Sequence, residues 1–290
     1  MKQYFSLMFM GLLITTGLVE AEESVEWEIP KQMALGVQHY AYGDGEIENS
    51  GADLSMDYTQ IKLPLGKFDL GDHTLVPTLS LEQTDFAVKN AVNVAGDPTL
   101  YTIKSQFMFI KKLDDKWMRI VQVTPSIHTD GDVMDEDAFS LMGLAIWKYD
   151  STDVSGWTFG VGANRLFGEY KPIPLIAYQY RPNNYSQIDV GFPVTKYEYR
   201  WHSDWTGFGA IKPVGGNWRF ETNQEAEVNV AYSSWVASAG LRYQFKPKMW
   251  ATLELGQGLS RKFDIDTDDE SGKADIDDSS IIMFSIGLHP

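Results

Sequence analysis

The chain has 290 residues, with 24 Lys and Arg against 40 Asp and Glu, a formal net charge of -16, and no Cys. So acidic a surface repels phosphate and excludes a nucleic-acid partner. The lack of Cys excludes disulfide scaffolds, thiolate zinc sites, thiol catalysis and a lipidated N-terminal Cys. Aromatic residues make up 13% and hydrophobic residues 43% of the chain, too much apolar surface for a disordered protein.

Residues 1–21 read as an export signal. Lys2 supplies the positive end, Tyr4 to Val19 the apolar stretch, and Val19-Glu20-Ala21 a cleavage triplet, which places the cut after Ala21. The competing reading is a spanning anchor near its lower length limit. Residues 22–32 form a short periplasmic segment, and 33–290 read as one domain.

From residue 33 onward the apolar period is two, the spacing of strands with two different faces. Segments 33–43, 53–65, 73–85, 99–112, 117–128, 138–149, 156–165 and 173–181 come first. Segments 186–201, 205–213, 217–222, 228–246, 249–262 and 279–289 follow. In 235–245, Trp235, Ala237, Ala239, Leu241, Tyr243 and Phe245 oppose Ser238, Gly240, Arg242 and Gln244. The connections alternate as well. Leu113–Lys116, Arg181–Asn184, Pro213–Gly216 and Lys246–Lys248 are short. Asp44–Gly51, Phe86–Pro98, Thr129–Asp137, Asn223–Glu227 and Phe263–Asp278 are longer and mostly acidic. Short turns at one end and long loops at the other describe a closed antiparallel up-and-down transmembrane β-barrel, all-β, with about fourteen strands. Twelve is the alternative count, because Pro193 and Gly215-Gly216 leave the parsing of 186–222 open.

Which face looks out follows from size. A barrel of about fourteen strands is too wide to fill with side chains, so its apolar faces turn to lipid and its charged faces inward. Trp117, Tyr180, Tyr185, Trp201, Trp205, Phe245 and Trp250, near strand ends, suit the two interfacial girdles. Glu82, Lys104, Lys196, Glu198, Arg200, Arg242 and Glu254 become the candidate lumen lining, either tuning solute passage or forming a ladder of internal salt bridges. The C-terminus, Gly287-Leu288-His289-Pro290, lacks the terminal aromatic common in such barrels.

Asp264, Asp266, Asp268 and Glu270 place oxygen ligands at alternate positions, the donor type Ca²⁺ takes. The loop lacks the Gly and bidentate Glu of an EF-hand, so a solvated acidic loop is the plainer reading. Asp130, Asp132, Asp135, Glu136 and Asp137 form a second such loop. His202-Ser203-Asp204 has triad residue types, but neighbours in one loop do not reach relay geometry without partners from elsewhere. No organic cofactor is expected.

Val123–His128 with the acidic loop after it, Gly156–Gly162, Lys171–Ile176, Val190–Pro193 and Leu253–Gly258 resemble an uncharacterised family of outer-membrane β-barrels grouped as a domain of unknown function, DUF6268. The resemblance implies a location and a fold, and carries no catalytic or binding residues. The expectation is a passive pore or structural barrel in contact with outer-membrane lipid and lipopolysaccharide, placed there by the barrel-insertion machinery. An adhesive or divalent-cation-binding surface barrel acting through its acidic loops is the second reading, and a membrane-embedded hydrolase the third.

Overall fold

A computed structural model describes residues 35–90, 97–164, 171–221, 227–267 and 271–288. Residues 1–21, read above as an export signal, and 22–32, read as a periplasmic segment, lie outside the described residues. The strands are β1 (Leu35–Glu46), β2 (Asp53–Pro64), β3 (Phe68–Leu70), β4 (His73–Lys89), β5 (Thr99–Lys112), β6 (Trp117–Thr129), β7 (Phe139–Thr152) and β8 (Ser155–Asn164). They continue as β9 (Lys171–Asn183), β10 (Ser186–Phe192), β11 (Thr195–Arg200), β12 (Trp205–Glu221), β13 (Glu227–Lys246), β14 (Met249–Thr267), β15 (Ser271–Ile276) and β16 (Ser279–Leu288).

Each strand pairs antiparallel with the next around the wall. The circle closes where β1 pairs β16 and β14 joins both β13 and β16. Of the sixteen strands in the sheet, β3 and β15 pair only with β4 and β14 as side hairpins, which leaves fourteen in the ring. Leu35 lies opposite Leu288, so both ends of the barrel chain meet at one rim. We call this the lower rim. It carries turns at 113–116, 153–154, 184–185 and 247–248.

Period two explains the wall. In β16 the burial alternates residue by residue from Ser279 to Leu288. Ile282 and Phe284 are 54% and 51% exposed on the outside, while Met283 and Ser285 are buried inside. The same outward exposure holds for Ile61, Leu81, Ile103, Val161, Ile176 and Leu255. An apolar belt this continuous has lipid as its solvent, and the closed ring leaves every wall strand paired along the belt's lower half. Near the lower rim, Trp117 packs on Tyr149, Trp157 on Tyr178 and Trp205 on Tyr243, with ring centroids 4.7, 4.9 and 4.5 Å apart. These outward cross-strand pairs form the lower aromatic girdle. Trp250 is the exception. It sits on the inner face, buried, with the Arg200 guanidinium 6.0 Å from its ring.

The strand count agrees with the sequence reading because two errors offset. Segment 186–201 is two strands, reversed at Pro193-Val194, with Asp189 opposite Lys196. Segments 205–213 and 217–222 are one strand, since Pro213 and Gly215-Gly216 stay in register with β13 without a break. The acidic stretch 263–278 is not a plain loop either. β14 continues to Thr267 and folds back as β15, with Asp264 opposite Lys273.

The upper rim departs from a simple cylinder. Beyond Lys212, β12 leaves the wall and crosses the mouth. Its Arg219 bridges Thr129 of β6 in parallel, passing the five wall strands β7 to β11. β13 and the upper part of β14 come with it. A hydrophobic core therefore fills the mouth: Tyr42, Leu54, Phe86, Leu100, Trp218 and Tyr232 are all buried there. Phe86 meets Trp218 edge-on at 5.6 Å and Phe263 at 5.6 Å.

Candidate lumenal site

The inner faces of β1, β2, β4 and β5 carry a polar chain built by strand register. Gln38 donates to Gln60 at 2.7 Å, Gln60 to Glu82 at 2.6 Å, and Lys104 pairs with Glu82 at 2.8 Å. Across the lumen, β12 supplies Lys212 and β14 Glu254, 3.0 Å apart, and Ser238 donates to the same carboxylate at 2.5 Å. Lower down, Glu198 of β11 accepts from Lys196 at 2.8 Å and from Arg242 of β13 at 3.1 Å. The three glutamates are buried to within 8% exposure, so each carboxylate is held by a cation and not by bulk water. Arg200 stands apart at the lower rim, donating to the carbonyls of His202 and Ser203.

Between these groups lies a cavity of about 270 Å³. Tyr40, Tyr42, Tyr58 and Trp218 form its aromatic sides, and Glu82, Lys104 and Lys212 its charged ones. Lys212 also lies 5.5 Å from the Tyr40 ring, so it reaches across from β12 to β1. Above, the Trp218 indole N–H donates to Thr102 Oγ1 at 3.1 Å. Thr102 in turn meets His128 Nδ1 at 3.1 Å, and Ser126 meets His128 Nε2 at 2.8 Å. A second cavity of about 100 Å³ lies on the other side of β12, against Ser140, Met142 and Asn217. Lys104, His128 and Gly215-Gly216 border both cavities, so the two adjoin beneath the bridge from β12 to β6.

The sequence reading named Glu82, Lys104, Lys196, Glu198, Arg242 and Glu254, and the register brings these into three ion-paired groups. It missed Lys212, although the segment 205–213 puts Lys212 on one face with Thr206 and Phe208; the expected turn at Pro213–Gly216 placed it at a strand end instead of mid-strand. It also missed His128 as a lumenal group, although Thr124, Ser126 and His128 repeat at period two.

The acidic stretches serve local structure. Asp264 pairs with Lys273 at 3.4 Å, Asp266 lies on β14, and Asp268 and Glu270 fall outside the described residues. Among the described residues, no three His, Asp or Glu side chains converge on one point. In the other stretch, Asp135 caps the short 3₁₀ turn Glu136–Ala138 and accepts from Arg219 at 3.0 Å. Asp130 accepts from the backbone N–H of Glu221 at 2.8 Å. At the lower rim, Ser203 Oγ lies 3.2 Å from His202 Nδ1 and Asp204 lies 3.8 Å from the same nitrogen. A relay needs Ser and Asp on opposite ring nitrogens, so this is a turn network.

The arrangement resembles several solved barrels in outline. An outer-membrane channel from Pseudomonas putida F1 (COG4313) aligns over 92% of this chain and 100% of its own at 12% identity, with a TM-score of 0.49. A mutant of the TodX monoaromatic hydrocarbon channel aligns over 88% of this chain and 90% of its own at 11% identity and 0.42. The NanC porin aligns over 88% and 99% at 12% identity and 0.36. No curated protein matches the chain. The model of one protein family, the domain of unknown function DUF6268, matches residues 34–278, nearly the whole barrel. The chain belongs to the DUF6268 family.

Proposed function

We propose that this protein is an outer-membrane channel for small solutes, exported with a signal that is cut after Ala21, and that it works passively. The observation that carries the reading is the open space between fixed charges inside a lipid-facing ring. The cavity of about 270 Å³ is bordered by Lys104, Lys212 and Glu82 instead of being filled by apolar side chains. A purely structural barrel has no use for such a space. Paired lysines and glutamates at a constriction set which charge of solute passes more easily.

The test is conductance of the purified full-length protein in planar bilayers. Stepwise openings support the reading, and a silent bilayer with correctly folded protein overturns it. Glu254→Gln should leave Lys212 without its counter-charge and move the reversal potential toward anion preference under a salt gradient. No movement would remove the Lys212–Glu254 pair from the conducting path.

A further inference from the structure

The wall has an opening, and its edges are built for one. β10 and β11 are short. Their pairings with the neighbouring strands stop at Phe192 opposite Ile176 and at Thr195 opposite Ile211. Above that level, among the described residues, Lys171–Leu175 of β9 has no partner on its β10 side, and β12 has turned inward toward β6. Two missing strands leave about 14 Å between β9 and β12 at strand spacings of about 4.8 Å.

Unpaired strand edges are normally costly, and here prolines remove the N–H part of the cost. The Arg181 N–H donates to the Val154 carbonyl, so odd residues of β9 bond β8 and even ones face β10. Pro172 and Pro174 are even, and their missing N–H groups fall on the open edge. Likewise, the Gln244 N–H donates to the Asp204 carbonyl, so odd residues of β12 face the β11 side. Pro213, two residues past the last β11 pairing at Ile211 and the first beyond it to face that side, is odd. Prolines at such positions suit an edge, because no N–H donor is left unpaired there.

The opening lies within the lipid belt. Strands of 7 and 6 residues, tilted as barrel strands are, rise only about 18 Å from the lower girdle, whereas the apolar belt is about 25 Å tall. The sill is greasy outside: Val190, Phe192 and Val194 are all exposed. Just inside, the lumen wall changes character. Met142, Leu144 and Ile146 of β7 and Ile173 and Leu175 of β9 share the inward register, with Gly160 and Gly162 between them. The Leu144 and Ile146 side chains lie over those glycines, 3.4 and 3.3 Å from where a Cβ would stand. A water-filled pore does not need an apolar inner sector. A path from lipid does, and it leads to the smaller cavity and then past Gly215-Gly216 to the larger one, with its tyrosines and Lys104.

We infer that a small amphipathic molecule, an aromatic or apolar body carrying one hydrogen-bonding group, passes sideways between the bilayer and the lumen over the β10–β11 hairpin. The inference rests on the channel reading above and specifies its route and solute class.

The chain has no Cys, so single thiols report cleanly. Full-length Leu175→Cys and Thr252→Cys proteins are reconstituted in phosphatidylcholine vesicles, both thiols being lumenal, the second behind the unbroken β13, β14 and β16 wall. Pyrenyl maleimide dissolved in the bilayer should label Leu175→Cys at least about tenfold faster than Thr252→Cys, approaching the rate of the outward Ile176→Cys. Ile173→Cys replaces Leu175→Cys if that variant does not insert. Equal rates at 175 and 252 overturn the lateral route. Added 1-naphthol should slow labelling at 175 severalfold and lactose should not; the reverse pattern overturns the assigned solute class. Conductance is recorded on the same samples. A silent bilayer with fast labelling at 175 removes the channel reading and leaves the opening, whereas conductance with equal labelling does the opposite.

Discussion

Arg261 is the most completely enclosed charged group among the described residues, with none of its surface exposed. It donates to the Tyr232 hydroxyl at 3.0 Å, to the Asp277 carbonyl at 3.1 Å and to the Leu54 carbonyl at 3.3 Å. One side chain thereby ties β14, β13, β2 and the stretch before β16 together. Gly45 makes room for it, since a Cβ there would stand 2.3 Å from the guanidinium. Arg261→Met keeps the volume and removes the donors, leaving a hydroxyl and carbonyls unmet in a closed space. The expected cost is about 3 kcal/mol, read as a lower urea midpoint in detergent. An unchanged midpoint would mean the guanidinium holds nothing. Asp130 makes a second prediction at this scale. Burial pushes its carboxyl up, but the N–H groups of Glu221, Val133 and Asp132 together outweigh that and hold it below the usual 3.8. A carboxyl depressed in the folded chain adds stability above its unfolded value and loses it as pH falls through the folded one. The hold on β12 at Glu221 should therefore be intact at pH 7 and fade below about pH 4. Hydrogen exchange of the Glu221 amide, corrected for intrinsic rate, should show the loss in the native chain and no such step in Asp130→Asn.

At the scale of elements, β12 decides the shape of the upper barrel. Gly216 lies where β12 passes Trp218, and a Cβ on it would come within 2.4 Å of the indole. Gly216→Val should displace the Trp218 ring from Thr102 and Phe86, costing about 1–3 kcal/mol by overpacking. The checks are a red-shifted tryptophan emission and a lower melting point; an unshifted spectrum would refute the close approach. The same strand shows where reading from sequence stops. β2, β5 and β16 were legible within one or two residues, because strict alternation between lipid and interior leaves one register for each. β12 was not, since Pro213 and Gly215-Gly216 are turn residues by type. Only the neighbour on the Pro213 side, which ends at Thr195, reveals that no N–H was needed there. The charged lining was legible for the same reason as the strands, as Lys196, Glu198 and Arg200 alternate with Tyr197 and Tyr199. The crossing of β12 to β6 was not. Arg219 has the parity of an outward residue, and only the three-dimensional path turns that face toward Asp135.

For the whole molecule, the inward fold of β12 to β14 changes what a barrel of fourteen strands can do. Size alone leaves a lumen too wide to fill with wall side chains. Here the chain fills the upper part with its own strands, so Phe86, Leu100, Trp218 and Tyr232 form a core at the mouth, while the space below is open and bordered by Glu82, Lys104 and Lys212 as well as by tyrosines. Movement along the axis then meets a hydrophobic stopper, and movement through the wall meets only the edges of β9 and β12. The two exits make separable predictions. Trp218→Ala removes a ring from the stopper together with its bond to Thr102, and touches neither Pro172, Pro174 nor Pro213. Axial conductance should rise severalfold, with brief closures as the loosened β12 and β13 move on the microsecond-to-millisecond scale. Labelling of Leu175→Cys from the bilayer should change by less than about twofold, because the sill over β10 and β11 keeps its pairings whatever the mouth does. If instead both quantities rise together in Trp218→Ala, the mouth and the side opening are one passage, and the core around Tyr232 divides nothing.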